Sequence, residues 1–333
     1  MKFGPAPVAR ALGAISAHSV RMGEARLKKG QLIGEAEQRA LRAAGIQTVI
    51  AASLEPGDVA EDEAAQVLAN VLAGPHLRLD PPFTGRVNLF ATANGLLRVE
   101  RAAIDAVNRV DDAITVATLA EYAPVVEGDM AATVKIIPFA TPAAALQAAI
   151  AAAGAGAVSV ASYRPLRVGV ISTLQPGLKA SVVNKTLGVL EARLAPARAR
   201  LVEERRCAHN TEALAQTLTA AKGACEALVV FGASAITDRR DVIPAAIEAA
   251  GGRIEHFGMP VDPGNLLLLG ELDGKPVIGA PGCARSPKEN GFDWVLGRVL
   301  AGVPVRRADI QAMGVGGLLM EIETRPQPRQ GDG

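Results

Sequence analysis

Three stretches of this 333-residue chain join small residues to groups able to do chemistry. The first is TLQPG, opening at Thr173; the second is GASAITDRRD, Gly232 to Asp241; the third is PGC, Pro281 to Cys283. In the second, the small residues Gly232, Ala233 and Ser234 let the backbone come close to a ligand. Thr237, Asp238, Arg239, Arg240 and Asp241 follow, and then a helix with Pro244 at or near its first position. Backbone N–H groups at a helix start, with arginines beside them, favour an anion such as phosphate. A carboxylate in the same loop suits a metal ion or a proton to be moved. The same residues also fit an ordinary strand–loop–helix connection with solvated charges, and residue types alone weigh the two readings equally. Cys283 poses a similar choice. It is either a ligand or nucleophile at the tip of a strand, or a small residue in a tight turn.

The elements that must position these groups can be read from the surrounding patterns. RVGVIST (167–173), EALVVFGAS (226–234) and KPVIGA are continuous apolar strands; ARLVEERR, RIEHFG and LLLLGEL add three more. Helices fall from about Ser181 to Leu194, from Thr211 to Lys222 with Asn210 as N-cap, and from Pro244 to Ala250 before Gly251-Gly252. Strands alternating with helices predict a parallel sheet covered on both faces, with ligands beyond the carboxyl ends of its strands. The first half reads as α+β. It has a helix over 35–45 ending at Gly45, the strand IQTVIAAS, and an acidic-start helix ending at Gly74. RVNLFAT and LLRVE follow as strands around an Asn94-Gly95 turn, then ITVATLA and MAATVKIIPFA. An alanine-rich helix and a short strand close this half before Arg164-Pro165, and Leu318 to Glu323 is predicted as a last strand before a Pro/Gln/Gly-rich tail.

VVFGASAITDRRDVIPAAIEAAGGRIEHFGMPVDPG, followed by GKPVIGAPGCA, resembles the molybdopterin-binding domain shared by molybdopterin adenylyltransferases and molybdopterin molybdotransferases. The resemblance covers roughly residues 166–303, in the order and spacing of its elements. LKKGQLIGEAEQRALRAAGIQTVIAA is similar to the segment preceding that domain in the molybdotransferases, the MoeA-like proteins. The likeness implies an α+β region at 1–164, a three-layer α/β domain with a mostly parallel sheet at 165–305, and a C-terminal strand and frayed tail at 306–333. It implies molybdopterin or its adenylylated form as ligand, Mg²⁺, and molybdate as substrate, at the molybdate-insertion step. A non-catalytic carrier of the cofactor is the alternative, and a nucleotide pyrophosphatase a third.

By position, Asp241 matches the family's catalytic or metal-binding aspartate. Gly232, Ala233 and Ser234 fall in its glycine-rich loop, and Pro281 and Gly282 in its second loop; Ser181 and Asn184 stand at the place of an Asp-Ser-Asn stretch of which only the Asn is clearly kept. Thr173, Thr237, Asp238, Arg239 and Cys283 complete the expected cofactor-binding set. The departures are specific. The family's glycine pair is here Ala233-Ser234, its Lys-Pro-Gly-Lys stretch is Asp262-Pro263-Gly264-Asn265, and Cys283 stands where it has Asn. The family's C-terminal barrel is expected to be missing. Relatives imply a dimer or trimer, and a molybdoenzyme or cofactor-modifying protein as partner.

Bulk composition narrows the classes. A formal net charge of +1 and 3% aromatic residues give no footprint for a nucleic-acid backbone. No run reaches the ~18 uninterrupted apolar residues of a membrane span, and Arg10 with two prolines interrupts any signal-peptide core. Cys207, Cys225 and Cys283 are widely separated, without zinc spacing, so a cytoplasmic protein is expected. Cys207 and Cys225 read as packing residues. His18 is a weak acid/base candidate, His209 a surface or capping residue, and His256 a half-buried strand residue. The carboxylates of EPGDVAEDEAA read as a turn and an acidic helix start rather than a cation site.

Overall fold

Period-2 and period-3.6 apolar patterns resolve into two compact units, Met1–Ala161 and Ser162 onward. The computed structural model describes residues 1–319. In the first unit the helix Glu61–Leu72 buries Ala64, Ala65, Leu68 and Leu72, spaced to lie on one face. They share a core with Val87, Leu89 and Ala91, every second residue of the strand Arg86–Ala91. Full burial of each large side chain is worth about 1.5–3 kcal/mol. That strand belongs to a four-stranded antiparallel sheet with Ile114–Thr118, Met130–Ile136 and Leu77–Leu79. Gly95–Val99, expected beside it across the Asn94-Gly95 turn, instead pairs with Pro124–Val125 in a separate sheet. The acidic stretch is structural. Asp62 accepts from the Gly85 N–H at 2.6 Å, Asp58 accepts from Glu55 N–H at 2.7 Å, and Glu61 pairs with Lys135 at 3.7 Å. Burial raises the Glu61 carboxyl above its ordinary range, with Lys135 opposing.

The second unit is built on a six-stranded sheet in the order Arg200–Ala208, Arg167–Leu174, Ala227–Phe231, Lys275–Ala280, Leu268–Leu272, Arg253–Phe257. The first four strands are mutually parallel and the last two pairings are antiparallel. The expected mostly parallel sheet is therefore a mixed one, in a chain whose other sheets are largely antiparallel. The reason is local. Asp273 and Gly274, at φ +50° and +73°, make a two-residue turn joining Leu268–Leu272 to Lys275–Ala280 as a hairpin. The sheet's faces feed separate cores. Val168, Val170, Val229 and Phe231 pack with Leu190 and Leu194 of the helix Ala180–Leu194 and with Phe292, Val295 and Leu296 of Gly291–Leu300. Ile171, Leu228 and Val230 pack with Leu214 and Leu218 of Thr211–Ala221 and with Ile243 and Ile247 of Val242–Ala249.

Asn210 caps its helix as expected, its side chain accepting from Ala213 N–H at 2.8 Å. The next helix starts earlier than Pro244. It runs from Val242 with Asp241 as N-cap. Proline is tolerated there because first-turn N–H groups have no intrahelical acceptor to lose. Helix Gly291–Leu300 opens with a reciprocal cap. Asn290 accepts from Phe292 N–H at 3.1 Å, and Asp293 accepts from Asn290 N–H at 2.8 Å. Of the expected strand Leu318 to Glu323, all but its start lies outside the described residues. Among the described residues no helix is long and apolar enough to cross a membrane.

Candidate functional site

Register aligns the carboxyl ends of three parallel strands, with Ser172 opposite Phe231 and Phe231 opposite Ala280. The loops that leave them carry most of the expected site residues. Thr173 is fully buried and does not face solvent. Its hydroxyl accepts from Ala233 N–H at 2.9 Å and meets His209 Nδ1 at 2.8 Å. The far side of that imidazole, Nε2, lies 2.9 Å from Ser234 Oγ, which is exposed. A chain of hydroxyl, imidazole and hydroxyl thus runs from the core to the surface. Ala233 N–H is engaged within it, donating to the Thr173 hydroxyl.

Gly232 is required by close packing, since a Cβ there would sit 2.6 Å from Ser234 O. Its own carbonyl accepts from Arg285 at 2.9 Å, and Arg285 also donates to Thr186 Oγ1 at 3.0 Å. The Arg285 guanidinium stacks 5.2 Å from the Phe231 ring centroid. Burial pulls it below its ordinary pKa, and among the described residues no carboxylate pairs with it. A half-buried guanidinium compensated only by neutral oxygens and a ring leaves positive charge that an anion could neutralise. Ser172, 2% exposed, has an Oγ without a hydrogen-bond partner among the described residues. Its register opposite Phe231 puts it on the same face as that ring.

The Pro281–Cys283 loop is a short 3-10 turn, Gly282–Arg285, with Pro281 buried, Gly282 exposed and Cys283 half-buried. The Cys283 carbonyl accepts from Ser286 N–H at 2.9 Å. Arg193, near the end of the helix Ala180–Leu194, organises this loop. It donates to the carbonyls of Ala284 at 2.8 Å, Ser286 at 2.8 Å and Lys288 at 3.2 Å, and it pairs with Asp293.

The acidic half of the expected site does not converge on a metal. Asp241 accepts from Val242 N–H at 2.7 Å through one oxygen and from Thr237 N–H at 3.1 Å through the other. Asp238 is held by Arg240 at 2.8 Å, and this contact lowers its carboxyl below the ordinary range. Arg239 is exposed. Asn184 accepts from Arg206 at 3.0 Å and Ser181 is exposed in the first turn of its helix, so neither is drawn to the strand ends by a contact. Among the described residues no group of three His, Cys, Asp or Glu side chains could hold a metal ion.

Sequence reasoning missed Arg193 and the role of His209, and it named Arg285 only among four cations, with Arg239, Arg240 and Lys288, that could replace the family's lost lysines. The position of His209, one residue past a strand end, was a usable signal; the half-buried state of Arg285 was not. Elsewhere, His18 is exposed in the first unit. His256 is 9% exposed on the edge strand, and burial, then Arg307 and Arg239, push its imidazole below its ordinary value while Glu255 opposes. Burial raises the Cys207 and Cys225 thiols, as in packing cysteines.

No family model matches the sequence, and no curated protein matches it. Among solved structures it is similar to a molybdopterin biosynthesis MoeA protein from Pyrococcus horikosii, at 17% identity over 74% of this chain and 81% of that one, with a TM-score of 0.32. A molybdenum cofactor biosynthesis protein from Pyrococcus furiosus is 12% identical, over 93% of this chain and 65% of that one, with a TM-score of 0.26. A MoeA protein from Pyrococcus horikoshii OT3 is 11% identical, over 91% and 74%, with a TM-score of 0.27. Superpositions this loose carry no argument about function.

Proposed function

We propose that the second unit binds a phosphate-bearing pterin of the molybdopterin type, free or adenylylated, at the carboxyl ends of its parallel strands. The observation that carries this reading is Arg285, a half-buried cation beside Gly232 with no carboxylate partner among the described residues. The order of motifs from Val229 to Ala284 supports the pterin as the ligand, and exposed Ser234 and Arg239 supply further donors. Pro281, Gly282 and Cys283 would border the ligand from the neighbouring loop.

The chemistry favours holding this ligand over transferring molybdate to it. Among the described residues there is no preformed set of three ligands for Mg²⁺; Asp241 caps its helix and Asp238 is paired with Arg240. The reading is therefore a carrier, which keeps the cofactor for a molybdoenzyme or a cofactor-modifying partner and acts as a dimer or trimer in the cytoplasm. Its test is to titrate purified protein with adenylylated molybdopterin in the presence of molybdate and Mg²⁺ while following AMP. Saturable binding without AMP release is expected. Catalytic AMP release would replace the carrier with a molybdotransferase, and no binding would remove both.

A further inference from the structure

The contacts around His209 favour one ring nitrogen as the bearer of its proton, and that decides what Ser234 can do. Thr173 is completely buried. One lone pair of its hydroxyl receives Ala233 N–H, and the other contact of that oxygen is His209 Nδ1 at 2.8 Å. Its proton therefore has Nδ1 as its acceptor; with Nδ1 protonated, a buried hydroxyl proton would be left without one, which is costly. Nδ1 accepts, so Nε2 bears the hydrogen and donates to Ser234 Oγ at 2.9 Å. A nitrogen already protonated is no base for the serine it faces. Ser234 Oγ accepts from the ring, which leaves its own proton free to be donated at an exposed position.

We infer that His209, locked by Thr173, is a positioning residue that makes Ser234 a hydrogen-bond donor to an anionic oxygen of the ligand, and not a nucleophile. This rests on the anion-binding reading above and adds to it the polarity of one contact. A hydroxyl faces an anion in only one sense, as donor, and a ring that merely packed would leave that sense unset. The neighbouring amide of Ala233 is engaged by Thr173, so the recognition at this loop falls to the side chain of Ser234.

The test uses the whole chain. Nitrogen-15 NMR of histidine-labelled protein, with His209→Gln to assign the signal, reads the tautomer directly. The expected spectrum has Nε2 protonated and Nδ1 unprotonated; the reverse overturns the inference. Thr173→Val, which removes the lock, should shift the tautomer equilibrium, and an unchanged signal counts against it. Binding of inorganic phosphate is then measured by calorimetry. Ser234→Ala should weaken it about tenfold, while Ser234 in the wild type should stay unlabelled by a fluorophosphonate. Labelling of Ser234, or phosphate binding undiminished in Ser234→Ala, overturns the donor role. Wild-type protein that binds no phosphate overturns the anion site itself, which separates the two failures.

Discussion

Replacing Arg193 by methionine keeps a long unbranched side chain and deletes the donors that hold the loop bearing Arg285. The wild-type guanidinium, with a side chain only 10% exposed, donates to the carbonyls of Ala284, Ser286 and Lys288 and pairs with Asp293. A hydrogen bond from a charged donor contributes about 1.5–3 kcal/mol net. Ser286 and Lys288 lie where water can replace the donor, so their loss counts for little. Ala284 is 1% exposed, and its carbonyl counts in full. Asp293 keeps Asn290 N–H at 2.8 Å, which softens the loss of its ion pair. Together these give about 3–4 kcal/mol. At roughly 2–4 °C per kcal/mol for a unit of this size, Tm should fall by about 6–16 °C. Differential scanning calorimetry reads it. A transition within about 2 °C of wild type would refute the claim that Arg193 holds this loop.

Asp241→Asn should leave stability nearly unchanged, since asparagine caps helices as well as aspartate, whereas Asp241→Ala should cost about 1 kcal/mol in urea unfolding; a large loss in Asp241→Asn would point to a role for its charge. His256 titrates in the native state below its ordinary value of 6.5. Below pH 6.5 the unfolded chain takes up a proton that the native chain refuses, so stability is full above that pH and declines as pH falls through the window beneath it. His256→Gln should flatten that slope in urea unfolding curves, and an unchanged slope would assign it to other groups. Leu68→Ala, fully buried in the first unit, should cost about 2–5 kcal/mol by chemical unfolding.

The helices and strands of the second unit were legible because each is a short apolar run between glycine or proline punctuation, as in EALVVFGAS and in the Asn210-capped helix. The pairing of those strands was less so. Asp273-Gly274 carried a hairpin signal that the expectation of strand–helix alternation overrode, and Leu268–Leu272 runs antiparallel to both of its neighbours in consequence. In the first unit, RVNLFAT and LLRVE read as neighbours across a turn, yet the tertiary fold sent them to different sheets. The site divides the same way. Small residues at strand ends marked Gly232–Ser234 and Pro281–Cys283, but residue types do not say which groups are spent on the fold. Asp241, Asp238 and Thr173 look functional by type and are bound by a helix cap, an arginine and a buried hydroxyl network. Arg285 was legible only as one cation among several near the second loop, because its half-buried setting depends on Thr186, about 100 residues away.

The central claim is that Arg285 holds the ligand's anionic group at the carboxyl ends of the parallel strands. The direct measurement is calorimetric titration of wild type and Arg285→Gln with molybdopterin, each variant first matched for its thermal transition. The account predicts saturable binding by wild type and at least about a tenfold weaker affinity in Arg285→Gln. Equal affinity in the two proteins would contradict it.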